Sequence, residues 1–124
     1  MTEEQVIKII LTALEKNFPK DCSCCGHRFY TFKEYLNENQ LLGPPRSYDA
    51  EIEEWHPKKP LGIYAFARCN FCSNTLTTSL SSLKDETTWQ LLSWIRDEMK
   101  QKGVSSSALL NDIRGKILKQ ISGE

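Results

Sequence analysis

Two pairs of cysteines carry the clearest chemistry in this sequence. Cys22 and Cys25 are three positions apart, as are Cys69 and Cys72. That spacing lets a tight turn aim both sulfurs of a pair at one point. Two such pairs supply the four thiolates of a tetrahedral metal site, with zinc as the expected ion. Backbone N–H groups inside the turns can donate to the sulfurs and steady them. Cys24 is the spare thiol, able to replace Cys22 through a Cys-x-Cys arrangement. His27 could lend a nitrogen instead, although a solvent-facing role suits it better. The bland alternative is four buried cysteines without a ligand.

The first knuckle reads Cys22-Ser23-Cys24-Cys25-Gly26-His27-Arg28-Phe29 and the second Cys69-Asn70-Phe71-Cys72-Ser73-Asn74, with 43 residues between Cys25 and Cys69. Gly26 supplies the backbone freedom that a turn needs just after its second ligand. Through Cys22, Cys25, Gly26, Phe29, Cys69 and Cys72 the chain resembles the zinc-ribbon group over about residues 20–80. That resemblance implies a structural zinc and a second knuckle carried on a β-hairpin. Ser73 stands where Gly is commoner in that group, and the 43-residue separation is longer than in many ribbons. Rubredoxin-like iron sites use similar knuckles, and four thiolates hold iron as well as zinc. The second knuckle here lacks their Cys-Pro-x-Cys-Gly form, and helices flank the site, so zinc is preferred.

Catalysis finds little support. Catalytic zinc keeps a coordination position open, and a closed set of four cysteines leaves none. The zinc-deaminase signature of His-x-Glu with Pro-Cys-x-x-Cys fails, because Glu54-Trp55-His56 runs in reverse and no proline precedes Cys69. A thioredoxin-like redox pair opens a helix after a strand, whereas Cys22 follows a helical pattern and a Pro-Lys-Asp turn. No Gly-rich phosphate loop or nucleophile elbow is present. The expectation is a protein without enzymatic activity.

The elements that would position these sulfurs are legible in outline. Residues 2–17 carry a capping Thr2, acidic Glu3 and Glu4, and an apolar stripe of Val6, Ile9, Ile10, Ala13 and Leu14, the pattern of an amphipathic helix ended by Asn17 and Pro19. Phe29-Tyr30 reads as a short strand. Thr31 with Glu34 forms a capping-box pattern for a helix through about Leu42. Residues 43–60 hold Pro44, Pro45, Pro57 and Pro60 around an acidic stretch and read as an extended surface loop. Residues 61–68 and 74–80 have strand composition and form a hairpin with the second cysteine pair at its tip. Asp85 is a candidate cap for a helix to about Lys102, with Trp89, Leu91, Leu92, Ile95 and Met99 inward and Gly103 as its stop. Ser105 to Ser107 open a last helix with Leu109, Leu110, Ile113, Ile117 and Ile121 inward, weakened at Gly115. The fold expected is therefore α+β in a single domain, residues 1–124. A zinc-ribbon-like centre spans 20–80, an N-terminal helix lies within 1–19, and two C-terminal helices within 85–121 pack on that centre.

Composition limits the partners. The chain of 124 residues has 16 basic and 16 acidic side chains, so its formal charge is zero, and residues 101–124 carry only two more bases than acids. Nucleic-acid binders concentrate basic charge on one face, because phosphate neutralisation supplies most of their affinity. A Gly103-Val104-Ser105 turn between two helices partly follows a helix-turn-helix pattern, yet it reads more simply as an αα-hairpin with Val104 packed at the turn. Nucleic-acid binding stays the alternative function. A protein partner is preferred, with Tyr48, Ile52 and Trp55 of the acidic loop as candidate contacts, because aromatic anchors dominate binding energy. His56 reads as a loop residue. No apolar run approaches the roughly 20 residues that cross a bilayer, and the N-terminus has no secretion-signal pattern, so a soluble, cytoplasmic protein without membrane contact is expected.

Overall fold

Helix-start chemistry fixes where the first long element begins. Thr2 accepts the backbone N–H of Gln5 on its hydroxyl, and the Gln5 side chain accepts the N–H of Thr2 in return. This reciprocal box opens helix α1 (Glu3–Glu15), which buries Val6, Ile7, Ile10 and Ala13. The computed structural model describes residues 1–51, 62–80 and 82–122 of the chain. Within them the α+β expectation holds.

Two small antiparallel sheets form the centre. Strands β1 (Lys20–Asp21) and β2 (Arg28–Phe29) pair with each other, and β3 (Gln40–Leu41), β4 (Tyr64–Arg68) and β5 (Thr75–Ser79) form a three-stranded sheet in that order. The β4–β5 hairpin follows the alternation of its sequence, with Leu76 and Thr78 buried and Thr75 and Thr77 exposed. The first hairpin is tied to the outer edge of the sheet by side chains. Lys20 Nζ donates to the Thr77 carbonyl at 2.8 Å, and the Asn17 amide donates to that of Ser79 at 3.0 Å.

Helix α2 (Phe32–Glu38) starts at Thr31, whose hydroxyl accepts the Glu34 N–H, while the Glu34 carboxylate takes the N–H of Tyr30 rather than that of Thr31. It stops at Glu38, short of the expected Leu42, because the chain turns extended at Asn39 and pairs as β3 against β4. The expected irregular loop of 43–60 is also corrected. Arg46 exchanges both backbone hydrogen bonds with Tyr64, and Ser47 then opens a one-turn helix α3 (Tyr48–Glu51). Residues 52–60 of that loop lie outside the described residues.

Helix α4 (Asp85–Lys102) begins with Asp85 inside its first turn, so Lys84 takes the capping position and Asp85 acts on the helix dipole instead. Gly103 adopts φ 64° and ends the helix, as its sequence position implied. Ser105 accepts the Ala108 N–H and caps α5 (Ser106–Ser122). Val104 is exposed, not packed at the turn as expected, while its N–H donates to the Met99 carbonyl and closes the helix end. The core joins both halves of the chain: Val6 and Ile10, Phe29, Tyr35, Ala67 and Leu76, then Leu91, Ile95, Leu110 and Ile113, with Cys22 and Cys69 among them. Among the described residues no helix is long and apolar enough to cross a membrane.

Candidate metal centre

Both knuckles are tips of β-hairpins built to one plan. In the first, Lys20 faces Phe29 and Asp21 faces Arg28; in the second, Ala67 faces Leu76 and Arg68 faces Thr75. The Cys22 N–H donates to the His27 carbonyl and the Gly26 N–H to the Cys22 carbonyl. In the second knuckle Cys69 bonds to Asn74 and Ser73 to Cys69 in the same way. Each turn then requires a left-handed residue at the position after its second cysteine: Gly26 at φ 76° and Ser73 at φ 64°. The departure at Ser73 is therefore one of side chain, not of shape.

A left-handed L-residue costs roughly 1–2 kcal/mol, and a Cβ at Gly26 would meet no atom within 4 Å. Gly26→Ala should therefore lower stability by about 1–2 kcal/mol through the backbone alone. Ser73→Gly should change stability by less than about 1 kcal/mol, because relief of strain and the gain in unfolded-chain freedom oppose each other. Urea unfolding of the two variants measures both.

The sulfurs of Cys22, Cys25, Cys69 and Cys72 all lie within 4.8 Å of one another. Cys22 Sγ is 3.6 Å from Cys72 Sγ, and Cys25 Sγ is 3.8 Å from Cys69 Sγ, so each knuckle sends its two sulfurs to the other. Four sulfurs bound tetrahedrally at about 2.3 Å from an ion sit about 3.8 Å apart. The donor set fits a metal ion. Cys22 and Cys69 are buried in the core, whereas Cys25 is exposed and Cys72 half-buried, so the site has an inner and an outer side. Cys24 stands exposed outside the sulfur group.

The electrostatics of this cluster suit a cation. The Cys25 N–H, joined by that of Cys24, points at the Cys22 sulfur and holds its thiol down at about 6 despite burial. At Cys72 the Asn74 N–H favours the thiolate, but burial and the sulfurs of Cys22, Cys25 and Cys69 push the thiol up to about 12. Cys25 is raised in spite of the His27 N–H that faces it, by desolvation and by its sulfur neighbours Cys22 and Cys69. One thiolate forms readily, and its neighbours then resist a second and third like charge. A divalent cation removes that conflict and makes the charged form of every ligand favourable.

The immediate surroundings include contacts that no spacing rule announces. His27 lies outside the sulfur group and is half-buried rather than fully solvent-facing: its ring stacks on Phe71 of the other knuckle, 4.0 Å between centroids, and its Nε2 lies 3.2 Å from Glu38 Oε2. Asn39 accepts the Asn70 N–H at 3.1 Å and donates to the Tyr35 carbonyl, bracing the second knuckle against the end of α2. Phe71 itself is 54% exposed beside the outer sulfurs.

Of the candidate partner contacts, Tyr48 opens α3 as an exposed ring with the Arg46 guanidinium 5.2 Å above it. Ile52 and Trp55 lie outside the described residues, as do His56, Pro57 and Pro60. Set against family models, curated proteins and solved structures, the chain matches none, and the four sulfurs with their setting carry the functional conclusion by themselves.

Proposed function

We propose that this chain is a non-catalytic, protein-binding module organised by one structural zinc ion in a zinc-ribbon-like site. The observation that carries the proposal is the closed set of four cysteine sulfurs, brought together from two hairpin tips and half sunk in the core. A site filled by four thiolates has no position left for substrate, which supports a structural role. Zinc is favoured over iron because the second knuckle, Cys69-Asn70-Phe71-Cys72-Ser73, departs from the rubredoxin-like form. Exposed Tyr48, beside the Pro-rich segment that holds Ile52 and Trp55, offers an aromatic anchor for a partner.

Elemental analysis of the natively purified protein should give one zinc per chain and a colourless solution. A red protein with iron in that ratio would replace this reading with electron transfer. In the same preparation, a captured protein partner should be lost on Trp55→Ala while the metal ratio and amide spectrum stay unchanged. Global destabilisation by that substitution would make Trp55 a core anchor and remove the proposed contact.

A further inference from the structure

Helices α1 and α4 each carry more apolar surface than the core uses. Val6, Ile10 and Ala13 of α1 and Leu91, Leu92 and Ile95 of α4 are buried, yet Ile9 and Trp94 are only half-buried on the outer sides of these helices. Ile9 and Trp94 line one open valley of about 700 Å³ between α1 and α4, with Met1 at 49% exposure also lining it. Beyond Ile9 the valley continues into a second hollow of about 300 Å³ that reaches Leu83. The two helices run antiparallel along it, since residues 1–9 share the first hollow with 90–97 and residues 8–16 share the second with 82–87.

The walls of the valley carry opposite charges. Lys8 lines it from α1 and Asp97 from α4, both exposed, and among the described residues neither makes an ion pair. An unpaired cation and an unpaired anion on opposite walls make the surface complementary to itself. A copy turned by a half-rotation about an axis along the valley lays α1 against α4 of the partner subunit. Each Lys8 then approaches Asp97 of the partner subunit, and each Trp94 covers the opposing Ile9. That isologous contact closes on itself, as most stable homodimers do. It also completes a four-helix packing around apolar side chains that one copy leaves half-wet.

From this we infer that the α1–α4 valley is a homodimer interface, occupied by the same valley of a second copy. No part of either knuckle lines it, so the inference stands apart from the identity of the metal.

Sedimentation equilibrium of the full, metal-loaded chain across the micromolar range tests it. The expected result is a reversible dimer. Lys8→Glu and Asp97→Lys should each weaken association by about tenfold or more, because each change sets two like-charged pairs across the two-fold axis. The double variant carrying both changes should return to within about threefold of the parent, since the pairs are restored with their signs exchanged. A chain that stays monomeric throughout, single reversals without effect, or a double variant that shows the sum of the two losses would each overturn the interface. Helical circular dichroism and the metal-to-chain ratio, measured on the same samples, separate failed association from failed folding and from a failed metal assignment.

Discussion

Removal of the metal by a strong chelator is expected to collapse the amide spectrum of residues 20–51 and 62–80 toward unfolded positions. The reason lies in what holds the centre together. Strands β1 and β2 are two residues each, as is β3, and such short pairings are marginal by themselves. Between the two knuckles the structure adds a ring stack, His27 on Phe71, and the sulfur contacts of Cys22 with Cys72 and Cys25 with Cys69. Structural zinc sites contribute apparent free energies on the order of 10–16 kcal/mol in small peptides, whereas a domain of this size has a net stability of about 5–15 kcal/mol. Loss of the ion also leaves four crowded thiols, two of them in the core, with the ionisation of Cys25 and Cys72 opposed. Cys22→Ser and Cys69→Ser should imitate chelation, since each removes a buried ligand, while Cys24→Ser should leave metal content and stability unchanged. Heteronuclear amide spectra with and without chelator decide the matter, and a spectrum that keeps its dispersion after metal loss would refute the structural role.

How much of this was legible beforehand depended on whether the determinant was local. The cysteine pairs could be read because ligand chemistry is written in residue type and in a spacing of three. Helices α1, α4 and α5 could be read because Thr2, Gly103 and Ser105 act within their own turn of chain. Helix α3 and strand β3 could not, since each is decided by a distant segment. Gln40 and Leu41 are extended because β4 offers them partners, and Ser47 to Glu51 turn helical after Arg46 has been fixed against Tyr64. The same holds at the site. His27 looks like a surface residue until Phe71, far along the chain, comes to lie on its ring, and Asn39 has no visible task until Asn70 arrives beside it. By residue type Asp85 is the best cap nearby. The helix instead begins one residue earlier in hydrogen-bonding terms, and the carboxylate is used on the dipole.

Asp49 is the other position where a single change should be costly. Its side chain is fully buried, an arrangement that a carboxylate tolerates only with strong partners. Asp49 Oδ2 accepts the Gly62 N–H at 2.8 Å, and the Asp49 carbonyl accepts a guanidinium N–H of Arg96 at 2.5 Å. The residue therefore fastens α3 to the start of the β4 segment and to α4 together. Asp49→Ala leaves the Gly62 N–H without its acceptor inside the protein and opens space beside α4, so stability should fall by about 3 kcal/mol. Asp49→Asn keeps an acceptor oxygen of the same shape while removing the charge, and should cost less, about 1–2 kcal/mol. Urea unfolding measures both losses. The metal ratio should be unchanged in each variant, because no knuckle residue contacts this clamp among the bonds described for Asp49. Equal, small effects of the two substitutions would show that the buried carboxylate does not hold α3 in place, and that packing of Ala50 against the core does so instead.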